Sequence, residues 1–153
     1  MPAGTVDGLS GVGYELMRHE HTERAVDEAA ALGVDPEDVA KTVVLTTGEG
    51  YVRAVLPASE RLDLHKLRQH LKGGKEVRLA TEAELVGAYP GFELGAVPPF
   101  GGPPGDVVVV DWRVVDRDWV IIEAGRHEQS VRVRPRDLVP RLGAEVADIC
   151  SEG

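Results

Sequence analysis

Residues 39–56 carry the clearest secondary-structure signal in the chain. Val39–Thr46 is rich in β-branched residues, and a second extended segment, residues 51–56, follows the turn at residues 47–50. Pro57 ends this second segment, since proline lacks the backbone N–H that a strand needs. The pattern predicts a β-hairpin whose side chains alternate between two faces, so the fold must accommodate a largely apolar hairpin.

A single lysine interrupts the first strand of this hairpin. Alternation places Lys41 on one face with Val39, Val43 and Leu45. An ammonium group on a buried apolar face costs roughly several kcal/mol unless an anion or a polar cavity compensates, and burial lowers a lysine pKa. Two interpretations follow: a lysine that lines a functional cavity, or an edge-strand lysine that discourages aggregation.

Composition and charge restrict the class of protein. The chain has 153 residues, 42% of them hydrophobic and 28% charged, which predicts one domain over residues 1–153 with its core at about residues 14–148. The N-terminal segment lacks the features of a signal peptide, and no apolar run approaches the roughly 20 residues that span a bilayer. We therefore expect a cytoplasmic protein without a membrane partner.

The formal net charge of −9 argues against binding of duplex DNA, which requires a basic surface. Residues 61–78 and 126–141 are nevertheless locally basic, and we interpret them either as solvated faces or as contacts to nucleic-acid phosphates. Cys150 is the only cysteine, which excludes an intrachain disulfide and a cysteine-based zinc site. His19 and His21 form a His-x-His pair without an evident third ligand, so no metal is predicted.

The remaining signals predict an α+β fold. Helices are expected at residues 22–32 with Thr22 as N-cap, from Asp63 to Gly73-Gly74, from the capping box at residues 81–84, and from Pro135. Further strands are expected at residues 13–18, 76–80, 107–110 (buried on both faces), 119–124 and 130–134. This order contains adjacent hairpins rather than repeated βαβ units. It predicts a single domain with a curved, mixed and mostly antiparallel sheet flanked by helices.

Residues 91–105 are too rich in glycine and proline to form regular structure. Gly95 allows an unusual φ, and Pro98 with Pro99 stiffens the chain. A rigid loop of this kind can present backbone N–H and C=O groups to a water or a small ligand. The alternative is a plain crossover connection.

Taken in order, the hairpin and loop motifs resemble the YbaK/prolyl-tRNA synthetase editing-domain family. The motifs are Val39-Ala40-Lys41-Thr42-Val43-Val44, Ala54-Val55-Leu56-Pro57, Leu62-Asp63-Leu64 and Gly95-Ala96-Val97-Pro98-Pro99-Phe100-Gly101. The resemblance extends from about Tyr14 to Asp148. It implies a small aminoacyl-tRNA deacylase, either free-standing or inserted in a synthetase.

The resemblance also implies a pocket between the lysine strand and the Gly-x-x-x-Pro loop, which accepts the 3′-terminal adenosine of a tRNA with its esterified amino acid. It makes Lys41 and Gly95 the catalytic candidates, with the tRNA's terminal hydroxyl assisting and no metal or cofactor required. The candidate substrate-binding residues are Thr42, Ala96, Val97, Pro98, Pro99, Phe100, Tyr14, His21, Ala124 and His127.

One segment departs from the family pattern. Where some relatives place a Ser-Gly-Gly turn, this chain has Glu123-Ala124-Gly125-Arg126-His127. Editing domains inside synthetases carry a histidine in this neighbourhood, so His127 either corresponds to it or is a surface turn histidine. The identity of the edited amino acid is left open. The net charge predicts weak intrinsic tRNA affinity, and therefore recognition of the acceptor end alone or docking on a synthetase.

Three functions are compatible with these residues. The first is a free-standing trans-editing deacylase, which is favoured because Lys41, Gly95 and Pro99 are all present. The second is a non-catalytic module of the same fold that binds a ligand or a partner. The third is a hydrolase of a small non-tRNA ester or amide.

Overall fold

The computed structural model describes residues 8–71 and 76–152. In these ranges the strands are β1 (Tyr14–Arg18), β2 (Val39–Thr46), β3 (Tyr51–Pro57), β4 (Arg78–Leu79), β5 (Val107–Asp111), β6 (Val120–Glu123), β7 (Gln129–Val133) and β8 (Glu145–Ala147). The helices are α1 (Ala25–Leu32), α2 (Leu64–His70), α3 (Glu82–Ala88), α4 (Trp112–Val115) and α5 (Pro135–Leu142), with a 3-10 turn at Pro36–Asp38. No helix in these ranges has the length and apolar character needed to cross a bilayer.

All these strands join one mixed sheet in the order β1-β7-β6-β2-β3-β5-β8, with β4 paired to β2. Four pairs are antiparallel, namely β1–β7, β6–β7, β2–β3 and β2–β4. Three are parallel, namely β2–β6, β3–β5 and β5–β8. The predicted α+β class with a mixed, mostly antiparallel sheet is confirmed, and so is the hairpin, in which Lys41 lies opposite Leu56.

Some local predictions are corrected by the structure. Helix α1 begins at Ala25, and Thr22 is not its N-cap, because its backbone N–H and hydroxyl donate to the carbonyl of His127 instead. Val107 is 39% exposed, so β5 is not buried on both faces at its start. The sequence signals also missed α4 and β8. The Asp63 cap and the Thr81–Glu84 capping box are present, whereas Gly73-Gly74 lies outside the described residues.

The alternation of β2 distributes its side chains between two layers. Val39 packs with Ala29 of α1, and Leu45 packs with Leu67 of α2 on the same face. Ala40 points to the opposite face, in the cluster that α4 and α5 cover. Lys41 therefore lies on the face between the two helices α1 and α2.

A buried arginine holds the glycine- and proline-rich loop against the sheet. Arg53 on β3 is 2% exposed, and its guanidinium donates to the carbonyl oxygens of Pro98, Phe100 and Gly101 at 2.8, 3.2 and 2.8 Å. Its Nε also donates to Asp106 at 2.9 Å, while the Tyr89 hydroxyl donates to the same carboxylate. Arg53 thus replaces the regular hydrogen bonds that the loop lacks.

A buried carboxyl lies under helix α1. Glu28 is fully buried, and one of its oxygens is hydrogen-bonded to the hydroxyl of Ser130 on β7. His19 Nε2 lies 2.8 Å from the same hydroxyl. The other oxygen, Oε1, has no partner among the described residues. Burial raises the pKa of Glu28 to about 7, against a smaller opposing effect of the Ser130 hydrogen bond.

We expect Arg53→Ala to lower the free energy of unfolding by roughly 3–5 kcal/mol, because the change leaves three carbonyls without this donor and removes the cation that pairs with the nearly buried carboxylate of Asp106. Urea denaturation measures this loss. The matched control is Arg78→Ala, whose side chain is 54% exposed beside Glu84 and should cost less than about 1 kcal/mol. Equal losses in the two variants would contradict the anchoring role of Arg53.

The pKa of Glu28 predicts a pH dependence of stability. Because its folded value of about 7 exceeds the unfolded 4.5, the folded chain holds a proton that the unfolded chain releases, and stability falls as pH rises through this interval. Glutamine does not titrate in this range. The free energy of unfolding of Glu28→Gln minus that of the unmodified protein should therefore increase from pH 5 to pH 8, by roughly 1–3 kcal/mol. Urea unfolding at both pH values tests this, with Glu49→Gln at an exposed turn position as the control. A difference that does not change with pH would refute it.

Candidate functional site

Strand β2 is central in the sheet, so Lys41 is not an edge-strand lysine. On the side opposite β3, strand β6 pairs with Val39 and Ala40, and β4 pairs with Leu45 and Thr46. Residues 41–43 therefore have no strand partner on this side within the described part of the chain. The backbone of β2 faces a gap in the ladder at this level.

A cavity of about 380 Å³ fills this gap. Its walls come from β2, from the start of α1 and the residues before it, from the glycine- and proline-rich loop, and from the end of β6. Lys41, Thr42, Gly95 and Val97, all predicted site residues, line it together. The predicted juxtaposition of the lysine strand and the loop is thus present, while the roles of these residues stay predictions.

Lys41 enters the cavity as a half-buried cation. Burial is the largest effect and lowers the pKa of its ammonium group. Cys150 opposes this shift, Arg61 lowers the pKa further, and Glu60 raises it. Among residues 8–71 and 76–152, no hydrogen bond or ion pair involves its Nζ. The ammonium group can therefore contact a ligand without first breaking an interaction with another described residue.

Gly95 brings backbone close to the cavity through a left-handed turn. Its φ is +84°, and a Cβ at this position would lie 3.4 Å from Cε1 of His127. The turn is fixed by hydrogen bonds of its neighbour, since Ala96 N–H donates to Glu93 and Ala96 C=O accepts from Gly125, at 3.0 and 3.1 Å. The N–H groups of Gly95 and Val97 have no hydrogen-bond partner in the described ranges.

His127 is 4% exposed and therefore is not a surface turn histidine. Its Nε2 lies 2.6 Å from the Leu94 carbonyl, and because a carbonyl only accepts, Nε2 carries the hydrogen. Its Nδ1 is buried without a partner among the described residues, 3.7 Å from Glu123 Oε2. His127 packs behind Gly95, and its ring centroid lies 4.9 Å from that of His21.

Glu123 is a cavity residue that sequence reasoning missed. It ends β6, is 9% exposed, and lines the cavity with Glu23 from the segment before α1. The pKa of Glu123 is raised to about 8. Burial is the largest cause, and repulsion by the carboxyl groups of Glu28, Glu23 and Glu93 adds to it. Glu123 continues the alternation of Ile121 in an apolar strand, which is the same sequence pattern that indicates Lys41.

The other predicted site residues do not line the cavity. Phe100 and Ala124 are buried in the core, and Tyr14 packs beside the same cluster on β1. Three further predicted residues of the loop, Ala96, Pro98 and Pro99, are also buried. His21 lies outside, where its Nε2 is 2.7 Å from Glu23.

Within the described residues, we looked for side chains that could hold a metal ion and for the contacts of the cations in the first basic segment. No group of three or more His, Cys, Asp or Glu side chains in the described ranges is placed to hold a metal ion. Lys66 contacts Asp148, Arg68 donates to the Val77 carbonyl, and Arg78 pairs with Glu84. Lys72 and Lys75 lie outside the described residues.

Curated proteins with similar sequences include proline–tRNA ligases. A proline–tRNA ligase of Streptococcus gordonii is 35% identical over 137 residues, which cover 88% of this chain and 22% of the ligase. A proline–tRNA ligase of Trichlorobacter lovleyi is 32% identical over 126 residues, covering 78% and 21%. This chain thus spans about a fifth of the length of these curated relatives.

Solved structures with the same fold cover the chain almost completely. The hypothetical protein APE2540 superposes with a TM-score of 0.83 at 33% identity, over 92% of this chain and 93% of that one. A proposed trans-editing enzyme for prolyl-tRNA synthetase superposes with a TM-score of 0.82 at 26% identity, over 91% and 87%. The sequence profile of the aminoacyl-tRNA editing domain matches residues 19–140. The chain therefore belongs to the aminoacyl-tRNA editing domain family.

Proposed function

We propose that this protein is a deacylase that hydrolyses the ester of a mischarged aminoacyl-tRNA, using a positioned water and no metal ion. One observation carries the proposal: Lys41, Gly95 and Val97 line the same cavity, and within the described residues neither the half-buried ammonium of Lys41 nor the backbone N–H groups of Gly95 and Val97 have a partner. Family membership supports it independently.

This arrangement suits ester hydrolysis. Water adds to the carbonyl carbon, negative charge develops on the carbonyl oxygen, and the bond to the ribose oxygen then breaks. The ribose oxygen takes up a proton, so the products are the free amino acid and a tRNA with a restored terminal hydroxyl. A cation and backbone donors that are already in place stabilise the oxyanion more effectively than mobile water.

A second hydrolytic site has a clear use in translation. A hydrophobic synthetic pocket rejects a smaller near-isostere by only roughly 10–200-fold, so a separate site must remove the remaining errors. Because the similar curated proteins are proline–tRNA ligases, we propose mischarged tRNA specific for proline as the first substrate to examine. A synthetase is the candidate docking partner, since the net charge of −9 disfavours tight tRNA binding by this chain alone.

The second candidate function is hydrolysis of a small non-tRNA ester. The acidic net charge favours it, as do the intramolecular contacts of Lys66, Arg68 and Arg78, which occupy cations that could otherwise hold phosphates. A comparison of aminoacyl-tRNA with the corresponding amino acid methyl ester separates the two functions. Faster hydrolysis of the methyl ester would favour the second one.

A deacylation panel with several mischarged tRNAs tests the proposal directly. Lys41→Met should lower kcat/KM by about 100-fold or more, comparable to the loss of an oxyanion-hole donor. Arg117→Met is the matched control, because its ion pair with Asp38 lies away from the cavity lining and the variant should keep activity. If no aminoacyl-tRNA is hydrolysed above background, the proposed function is wrong. If Lys41→Met is fully active, the assigned role of Lys41 is wrong.

Gly95→Ala tests the loop in the same assay. The substitution strains a left-handed backbone and places a methyl group 3.4 Å from the His127 ring, so we expect kcat/KM to fall about tenfold or more. Gly91→Ala in the same loop is the control, since its Cβ would meet nothing within 4 Å. Thermal melts of both variants separate loss of catalysis from loss of folding. An active Gly95→Ala would exclude a strict requirement for this backbone geometry.

A further inference from the structure

The cavity contains a carboxyl group that the proposed reaction has not used. We propose that Glu123 binds the α-ammonium group of the aminoacyl ester, so that the site accepts esters with a free amino group and rejects N-acylated ones. This inference rests on the proposed deacylase function and deepens it by naming the substrate class.

The sheet register places Glu123 beside Lys41. The last pair between the parallel strands β2 and β6 joins Ala40 to Ile122, so Lys41 and Glu123 are the next residues on the two strands. Both line the cavity, yet no ion pair within 4.0 Å joins them. A ligand inside the cavity that carries an ammonium group near an ester carbonyl can therefore meet both residues. An α-amino ester has this arrangement.

The two carboxyl oxygens of Glu123 differ in their surroundings, because one is enclosed by the protein interior and the other is not. Oε2 is enclosed and lies 3.7 Å from the unpartnered Nδ1 of His127, too far for a hydrogen bond. Oε1 is not enclosed, has no partner among the described residues, and is therefore the oxygen that a ligand can reach. A nearly buried carboxyl without a hydrogen-bond donor is costly, and a ligand ammonium supplies the missing donors.

The charges around Glu123 select a cation rather than an anion. Glu28 from α1, Glu23 before α1 and Glu93 from the loop all disfavour further negative charge here and raise the pKa of Glu123. Arg24 also lines the cavity, but its guanidinium is paired with Asp27 at 3.0 Å. An ammonium at this point offsets the repulsion among the carboxyl groups and favours the ionised form of Glu123.

The first experiment compares one tRNA carrying alanine with the same tRNA carrying N-acetylalanine. We expect the wild-type protein to hydrolyse the acetylated ester at least about tenfold more slowly in kcat/KM, as expected for loss of a charge-assisted contact. Glu123→Gln should lose activity on the free ester by a similar factor, so that its preference disappears. Glu128→Gln, an exposed residue of the same turn, should behave as wild type.

The second experiment measures binding without catalysis. Calorimetry with 3′-alanylamino-3′-deoxyadenosine and its N-acetyl derivative should show tighter binding of the free amine by about tenfold or more, and only when Glu123 is intact. If no aminoacyl-tRNA is hydrolysed but binding depends on the amine, the proposed function fails and this inference stands.

Three results would overturn the inference: hydrolysis indifferent to acetylation, equal binding or no binding of the two analogues, and an equal loss on both esters in Glu123→Gln. The last result would indicate that Glu123 acts on the water instead. Should Glu123→Gln fail to fold in a thermal melt, the wild-type comparison of the free and acetylated esters decides the question by itself.

Discussion

The guanidinium of Arg53 is the contact on which the geometry of the cavity depends. The loop that carries Gly95 contains no strand or helix of its own, and Arg53 donates to three of its carbonyls from inside the sheet. A planar group with several fixed donors suits this task because it constrains direction as well as distance. The position of Gly95 in turn sets where the His127 ring packs. One buried side chain thus links the strand that carries it to the loop that forms one wall of the cavity.

The interrupted ladder of β2 explains why an ammonium group and a carboxyl group border this cavity without pairing. Strand β6 ends at Glu123, and β4 begins its pairing only at Leu45. Lys41 and Glu123 therefore follow the last residue pair of the parallel β2–β6 ladder, and on this side they border the cavity instead of a neighbouring strand. Each remains incompletely solvated and incompletely paired, which is a costly arrangement for folding and a favourable one for ligand binding.

Local physics made part of this structure predictable from sequence. Side-chain alternation and the turn residues predict the hairpin around residues 47–50. Side chains that can accept hydrogen bonds predict the helix caps at Asp63 and Thr81. The juxtaposition of Lys41 with Glu123 was not accessible in this way, because it depends on the parallel pairing of β2 with β6, which are far apart in sequence. Periodicity also could not show that Phe100 turns into the core while Val97 reaches the cavity.

The contact between Glu28, Ser130 and His19 has a consequence for proton movement. His19 Nδ1 lies 2.7 Å from the Glu20 carbonyl and so carries a hydrogen, while Nε2 faces the Ser130 hydroxyl. The Ser130 hydroxyl therefore bridges the Glu28 carboxyl to the His19 ring. Because His19 is only partly buried, this bridge gives the interior carboxyl under helix α1 a hydrogen-bonded path towards the surface.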